Sequence, residues 1–343
     1  LLQFSRMIHT VDAHTAGEPL RIITSGFPPV KGSTILEKRR YVKENYDHLR
    51  SFLMLEPRGH SGMYGCLVTP PATDDGDFGV LFMHNEGYST MCGHGIIAVT
   101  KVAVETGMIE VPPGVTKQEV RIDSPAGRIT AFAHMKDGKV GKVSFYNVPS
   151  FVYAEGLTVP VKGIGDVIVD IAFGGAFYVF VEAQKLGLQV IPEQTDILVR
   201  LGMELKYSVM DMMDVVHPLE PELHGIYGTI ITGGVEGDKS GNLVSNNVCI
   251  FADAQIDRSP TGTGTSARVA LLHQKGDLKE GGVLTNKSII DTVFEGSIKE
   301  FTKVDRFDAV ISEVSGTAQI MGFNQLVLEL DDPLPGGFRI TGG

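Results

Sequence analysis

The sequence predicts an α/β (α+β) protein of two pseudo-symmetric lobes, each with short β-strands wrapped around one buried helix. Three observations predict it. The 343-residue chain resembles itself, which is the first signal to seek in a long sequence. A β-rich run and a glycine-rich turn stand at the same place in each copy. The segment after each turn is apolar around most of a helical circumference, the mark of a buried central helix.

The self-similarity centres on MCGHGIIAVTKVAVETGMI around Cys92 and PTGTGTSARVALLHQKGDL around Thr261. A displacement of 169 (261 − 92) sets Gly93 on Gly262, His94 on Thr263, Gly95 on Gly264 and Gly107 on Gly276. The same displacement sets Phe82 on Phe251 and Gly127, Ile129 and Phe132 on Gly296, Ile298 and Phe301. Earlier it shrinks, so that Gly62-Met63-Tyr64-Gly65 resembles Gly225-Ile226-Tyr227-Gly228, and Asp12 with Gly17 resembles Asp170 with Gly175. The matches are ordered. They predict a first lobe over 1–155 and a second over 156–325, joined in the Pro/Gly-bearing stretch between about 150 and 165. Residues 326–343 either stay with the second lobe or return to the first.

In chain order, Val80–Met83 and Val248–Phe251 read as strands. Helices are expected over Ile96–Thr106 and Ser266–Lys275, stopped by Gly107 and Gly276. Val167–Val181 is apolar but broken by Asp170 and Gly174-Gly175, and reads as buried strand and bend rather than a membrane span.

Composition narrows the function. The chain is 43% hydrophobic, enough for a sizeable core, and its 41 acidic against 30 basic residues give a net charge of −11. That charge speaks against nucleic acid or an anionic membrane as partner. Three cysteines cannot form a disulfide framework. With no signal-peptide pattern at the start, they lead us to expect a reducing, cytoplasmic location.

The turn before each helix offers unpaired backbone N–H groups at a positive dipole end, which suits an anion. If the lobes face one another, both helix ends can hold one carboxylate. Cys92 at such an end is expected to have its pKa lowered from about 8.5 toward neutrality, making a thiolate base. Cys66 and Cys249 lie in apolar runs and read as packing residues. The copies differ chemically: Cys92 faces Thr261, His94 faces Thr263 and Tyr88 faces Asp257. Asp257 reads equally as a turn cap, a partner of Arg258, or a partner for a cationic amine.

The residues speak against two other chemistries. Gly93-x-Gly95-x-x-Ala98 and Gly262-x-Gly264-x-x-Ala267 both satisfy a dinucleotide fingerprint. We expect no parallel β-α-β alternation around them and therefore no nicotinamide or flavin. The ten histidines show no HExxH pairing, and His14, His60 and His84 read as structural.

MCGHG before the first helix and DRSPTGTGTSAR before the second resemble the two active-site motifs of the proline racemase family. VDAHTAGEPLRI, EPRGH, SPAG, VDIAFGGAFY and LDDPLPGGF, spread in order over nearly the whole chain, carry the same resemblance. It implies a diaminopimelate-epimerase-like fold, with a curled sheet around a central helix in each lobe and the site in the cleft. It also implies no cofactor, an imino-acid substrate and a pair of chains. Family members that racemise proline carry a cysteine in both turns. Here Thr261 stands in the second, and an alcohol does not titrate near neutrality. The Cys/Thr pattern implies dehydration of trans-3-hydroxy-L-proline, with Cys92 as proton acceptor and Thr261 in the second-base position without being a base. By motif, Gly93, His94, Gly262 and Thr263 would hold the carboxylate by their backbones and Asp257 the ring ammonium. A racemase or epimerase with a second base elsewhere, and a non-catalytic imino-acid-binding protein, are the alternatives.

Overall fold

A computed structural model describes residues 4–340. The first half runs β1 (Phe4–Thr15), β2 (Glu18–Ser25), α1 (Ile35–Asn45), α2 (Asp47–Met54), β3 (Tyr64–Thr69) and β4 (Phe78–His84). It continues with α3 (Gly93–Glu105), β5 (Lys117–Ser124), β6 (Gly127–Lys136) and β7 (Lys139–Tyr146). The second half runs β8 (Ser150–Val161), β9 (Gly165–Phe173), β10 (Phe177–Glu182), α4 (Thr195–Met212), β11 (Gly228–Gly237), β12 (Leu243–Phe251) and β13 (Gln255–Ile256). It ends with α5 (Gly262–Gln274), β14 (Val283–Lys287), β15 (Val293–Val304), β16 (Phe307–Gly316) and β17 (Ala318–Glu329).

Both halves follow one pairing plan. β1–β2, β3–β4, β5–β6 and β6–β7 are antiparallel, while β2–β3 and β4–β5 are parallel. β9–β10, β11–β12, β14–β15 and β15–β16 repeat the antiparallel pairs, and β10–β11 and β12–β14 the parallel ones. Parallel neighbours need a crossover, and the crossovers are the helices. β16 pairs back onto β8 through Ala309 and Val310, which curls the second sheet around α5. β16 also pairs with β7, so the two halves share one continuous sheet. The fold class is the one expected.

The stretch expected to join the lobes is strand: β8 pairs along β9, and Val159 and Val161 are buried in it despite Pro160 and Gly156. The expected boundaries at 155 and 325 fall inside β8 and β17, and β17 lies along the whole of β1. Parallel β-α-β crossovers do surround the glycine turns, as β4-α3-β5 and β12-α5-β14. Sequence hides them because β4 meets β5 only at Phe78 and Gly79, and both lie among antiparallel neighbours.

Each central helix begins a few residues before its expected start, at the glycine itself. α3 is buried from Gly93 to Val104 and α5 from Gly262 to Leu272. Gly107 and Gly276 then adopt φ of 76° and 83°, left-handed stops that glycine takes without strain. Among the described residues no helix is long and apolar enough to cross a membrane.

His84, at the end of β4, is buried, and burial together with Arg50, Lys206, Arg39 and Arg339 pushes its pKa down to about 3. The unfolded chain protonates this ring below about pH 6.5 while the folded chain does not. Its contribution to stability is therefore complete above pH 6.5 and is lost as pH falls toward 3. Going from pH 7 to pH 5, wild type is expected to lose about 2 kcal/mol more than His84→Gln, as measured by urea unfolding.

Candidate active site

The two glycine turns meet. A Cβ built on Gly262 would lie 2.6 Å from the Gly93 Cα, so the α3 and α5 N-termini touch backbone to backbone. Only glycine permits that approach. Each first turn is braced by the hairpin of its own half. The Thr15 hydroxyl, at the β1–β2 hairpin, donates to the His94 carbonyl at 2.8 Å, and Gly174, at the β9–β10 bend, packs on the Thr263 carbonyl. The backbone is not strained at Gly262, so Gly262→Ala acts through this contact alone. We expect kcat/KM to fall about 100-fold, the effect of an ångström-scale displacement at a reacting centre. Steady-state kinetics and a thermal melt check it, and the fold is retained.

Cys92, Gly93, His94, Asp257, Thr261, Gly262 and Thr263 line one narrow space of about 20 Å³. All the residues singled out from sequence are brought together. The space has room for about one water molecule, so the halves are closed on one another and must part to admit an imino acid.

Cys92 caps α3: its Sγ accepts the Gly95 N–H at 3.3 Å. His94 Nδ1 lies 3.1 Å from Sγ, and Nε2 lies 3.2 Å from the Pro19 carbonyl. A carbonyl only accepts, so Nε2 carries the proton and the bare Nδ1 of the neutral ring faces the thiol. The expected low Cys92 pKa is corrected. Burial pushes it well above its ordinary value, the Gly95 N–H and the Tyr64 hydroxyl pull it down, and Asp257 and Glu18 add to the rise. Burial depth outweighs the helix end.

Across from it, Thr261 caps α5 in position but not in bonding. Its φ is +66°, a left-handed value uncommon for a β-branched residue. Its hydroxyl turns away from the helix and donates to Asp257 Oδ2 at 2.7 Å. Asp257 Oδ1 accepts the Ser259 N–H at 2.8 Å.

Five residues escaped the sequence reading of the site. Tyr64 and Tyr227, already paired by the repeat but given no role, line the space and bond hydroxyl to hydroxyl at 3.0 Å. Tyr178, also lining it, bonds the Thr263 hydroxyl at 2.7 Å. Cys249 is buried in β12 as a packing residue should be, yet it also lines the space beside Thr261. Burial pushes its thiol well up, and Asp257 adds to it. Glu18, fully buried, opens β2 directly after the two-residue Ala16-Gly17 turn and binds Arg258 of the other half through Nε at 2.9 Å and N–H at 2.8 Å. Burial first and Asp257 second raise its carboxyl well above the usual range. Among the described residues no group of three or more His, Cys, Asp or Glu side chains could hold a metal.

The model of the family described as proline racemase matches residues 10–339. The chain belongs to the proline racemase family. It is an enzyme of that family with the family's α/β fold. A trans-3-hydroxy-L-proline dehydratase of Bacillus thuringiensis subsp. konkukian (strain 97-27) is 50% identical over 339 residues, covering 99% of this chain and 100% of that one. A proline racemase of Clostridioides difficile is 43% identical over 337 residues, covering 98% and 99%. The crystal structure of a hydroxyproline epimerase from Agrobacterium vitis with bound trans-4-hydroxy-L-proline superposes with a TM-score of 0.90 at 31% identity, covering 98% and 96%.

Proposed function

We propose that this enzyme is a lyase that dehydrates trans-3-hydroxy-L-proline to Δ1-pyrroline-2-carboxylate with one base. The observation that carries the reading is the Thr261 hydroxyl, which occupies the second-base position and spends its only proton on Asp257. An alcohol so placed neither removes nor returns an α-proton near neutral pH. The dehydratase at 50% identity agrees with this reading.

The substrate carboxylate would lie against the first-turn N–H groups of Gly93, His94, Gly262 and Thr263, which have no carbonyl behind them in their helices. Asp257 would take the ring ammonium. That ammonium offsets the carboxylate charge that raises the Cys92 pKa, so the thiolate forms with substrate in place. Gly95 N–H and Tyr64 are the groups that stabilise it. Cys92 then removes the α-proton, and the converging amides stabilise the enediolate-like charge. The C3 hydroxyl leaves as water, and the enamine tautomerises to the cyclic imine. Closure keeps bulk water from the carbanion-like species.

Incubation with trans-3-hydroxy-L-proline tests this: mass spectrometry should show loss of one water, with L-proline not inverted. Inversion of L-proline without water loss from the hydroxylated substrate would overturn it. A second reading is favoured by one observation, the Cys249 thiol in the same space. It would make the protein a racemase with Cys249 as second base. Cys249 sits within β12, however, without a helix end to stabilise its thiolate.

A further inference from the structure

The dehydratase reading leaves open which group protonates the departing hydroxyl, and substrate stereochemistry combined with the site geometry decides it. In trans-3-hydroxy-L-proline the C3 hydroxyl and C2 carboxylate lie on opposite faces of the ring. The hydroxyl and the α-hydrogen therefore share a face. A base that reaches the α-hydrogen looks at the leaving hydroxyl too, so the acid stands on the Cys92 wall and not the Thr261 wall. Thr261 is further disqualified because its proton is committed to Asp257 at 2.7 Å.

On the Cys92 wall stands His94, with Nδ1 3.1 Å from Sγ. Two atoms so close can address two groups on adjacent carbons of one ring face. The ring is held for the task by the Pro19 carbonyl on Nε2 at 3.2 Å and by the edge of Tyr64, whose ring centre lies 5.0 Å away. We propose that His94 is the general acid of the elimination, taking the Cys92 thiol proton on Nδ1 and delivering it to the leaving hydroxyl. This inference rests on the dehydratase reading.

The step balances without outside help. The thiol proton passes to Nδ1, leaving a thiolate and an imidazolium. The thiolate forms an S–H bond with the α-proton, and the C2–H electron pair becomes the C2–C3 double bond. The C3–O bond breaks toward oxygen, which takes the Nδ1 proton and departs as water. The end state is a neutral thiol beside a neutral imidazole, as at the start. Burial holds the His94 pKa below its ordinary value, which makes its imidazolium a ready donor.

The test compares leaving groups. Fluoride departs without prior protonation, so trans-3-fluoro-L-proline needs the base but not the acid. Wild type should form the same imine from both substrates. His94→Gln and His94→Asn remove both the acceptor of the thiol proton and the acid, so both reactions fall, and water elimination is expected to fall at least about 100-fold further than fluoride elimination. Any role of His94 in binding or in activating the thiol reduces both reactions alike, so equal losses would overturn the assignment. Wild type gives a check that does not depend on the variants folding. The solvent deuterium effect on kcat/KM should be about twofold larger for the hydroxylated than for the fluorinated substrate. Identical effects would count against His94. Failure of wild type to release water at all would instead strike the dehydratase reading beneath it, and the two failures are separable.

Discussion

Cys92→Ser is expected to lower kcat on trans-3-hydroxy-L-proline by at least about 1000-fold while leaving the melting temperature unchanged. The oxygen of serine is an effective helix cap and can accept the Gly95 N–H that Sγ accepts now at 3.3 Å. The side chain is nearly the same size, so the packed helix ends at Gly93 and Gly262 are not disturbed. What disappears is the thiol that takes the α-proton, the one sulfur on this wall. An alcohol in its place has no anion to offer. Rates with substrate, together with a thermal melt, check both halves of the expectation. Retained turnover would remove Cys92 from the role of base.

Thr261→Cys is the second large effect, and its sign differs between two reactions. The thiol takes the place of a hydroxyl whose proton holds Asp257 Oδ2 at 2.7 Å, so the aspartate loses its fixed geometry and gains a neighbour that can ionise. Water elimination is expected to fall about 10-fold or more, since Asp257 is the group that would receive the ring ammonium. In exchange, a titratable sulfur now faces the second side of the α-carbon, and slow deuterium incorporation into D-proline should become measurable. Stability is expected to hold. Threonine at φ +66° carries left-handed strain that a residue without β-branching eases. The check is nuclear magnetic resonance of D-proline in deuterated water against the wild type.

Much of the site was legible because it depends on local chemistry. A cysteine between a strand and a glycine-rich helix start, matched in the other half by threonine at a displacement of 169 (261 − 92), identifies both helix ends without any fold. The repeat also marked Tyr64 and Tyr227, although their 3.0 Å bond joins the two halves and is visible only once these are closed. Glu18 was not legible for the same reason. Its partner Arg258 is 240 residues away, brought to it by the hairpin at Ala16-Gly17. Helix-end position, which predicts a lowered Cys92 pKa, is a sequence feature, whereas depth of burial and the nearness of Asp257 and Glu18, which raise it, are not. β8 reads as a linker in sequence because Gly156 and Pro160 signal turns, while the pairing with β9 that makes it a strand is tertiary. Cys249 illustrates the limit most sharply. Its apolar run correctly marks it as buried, but no run of letters says that one side of a buried strand faces a reaction site.

The central claim is one titratable sulfur working from one side, and L-proline in deuterated water tests it most directly because this substrate has no hydroxyl to lose. The account predicts that wild type places deuterium at C2 with the L configuration kept, and that no D-proline forms. Accumulation of D-proline, deuterated or not, would show a second group returning protons from the opposite face and would contradict it.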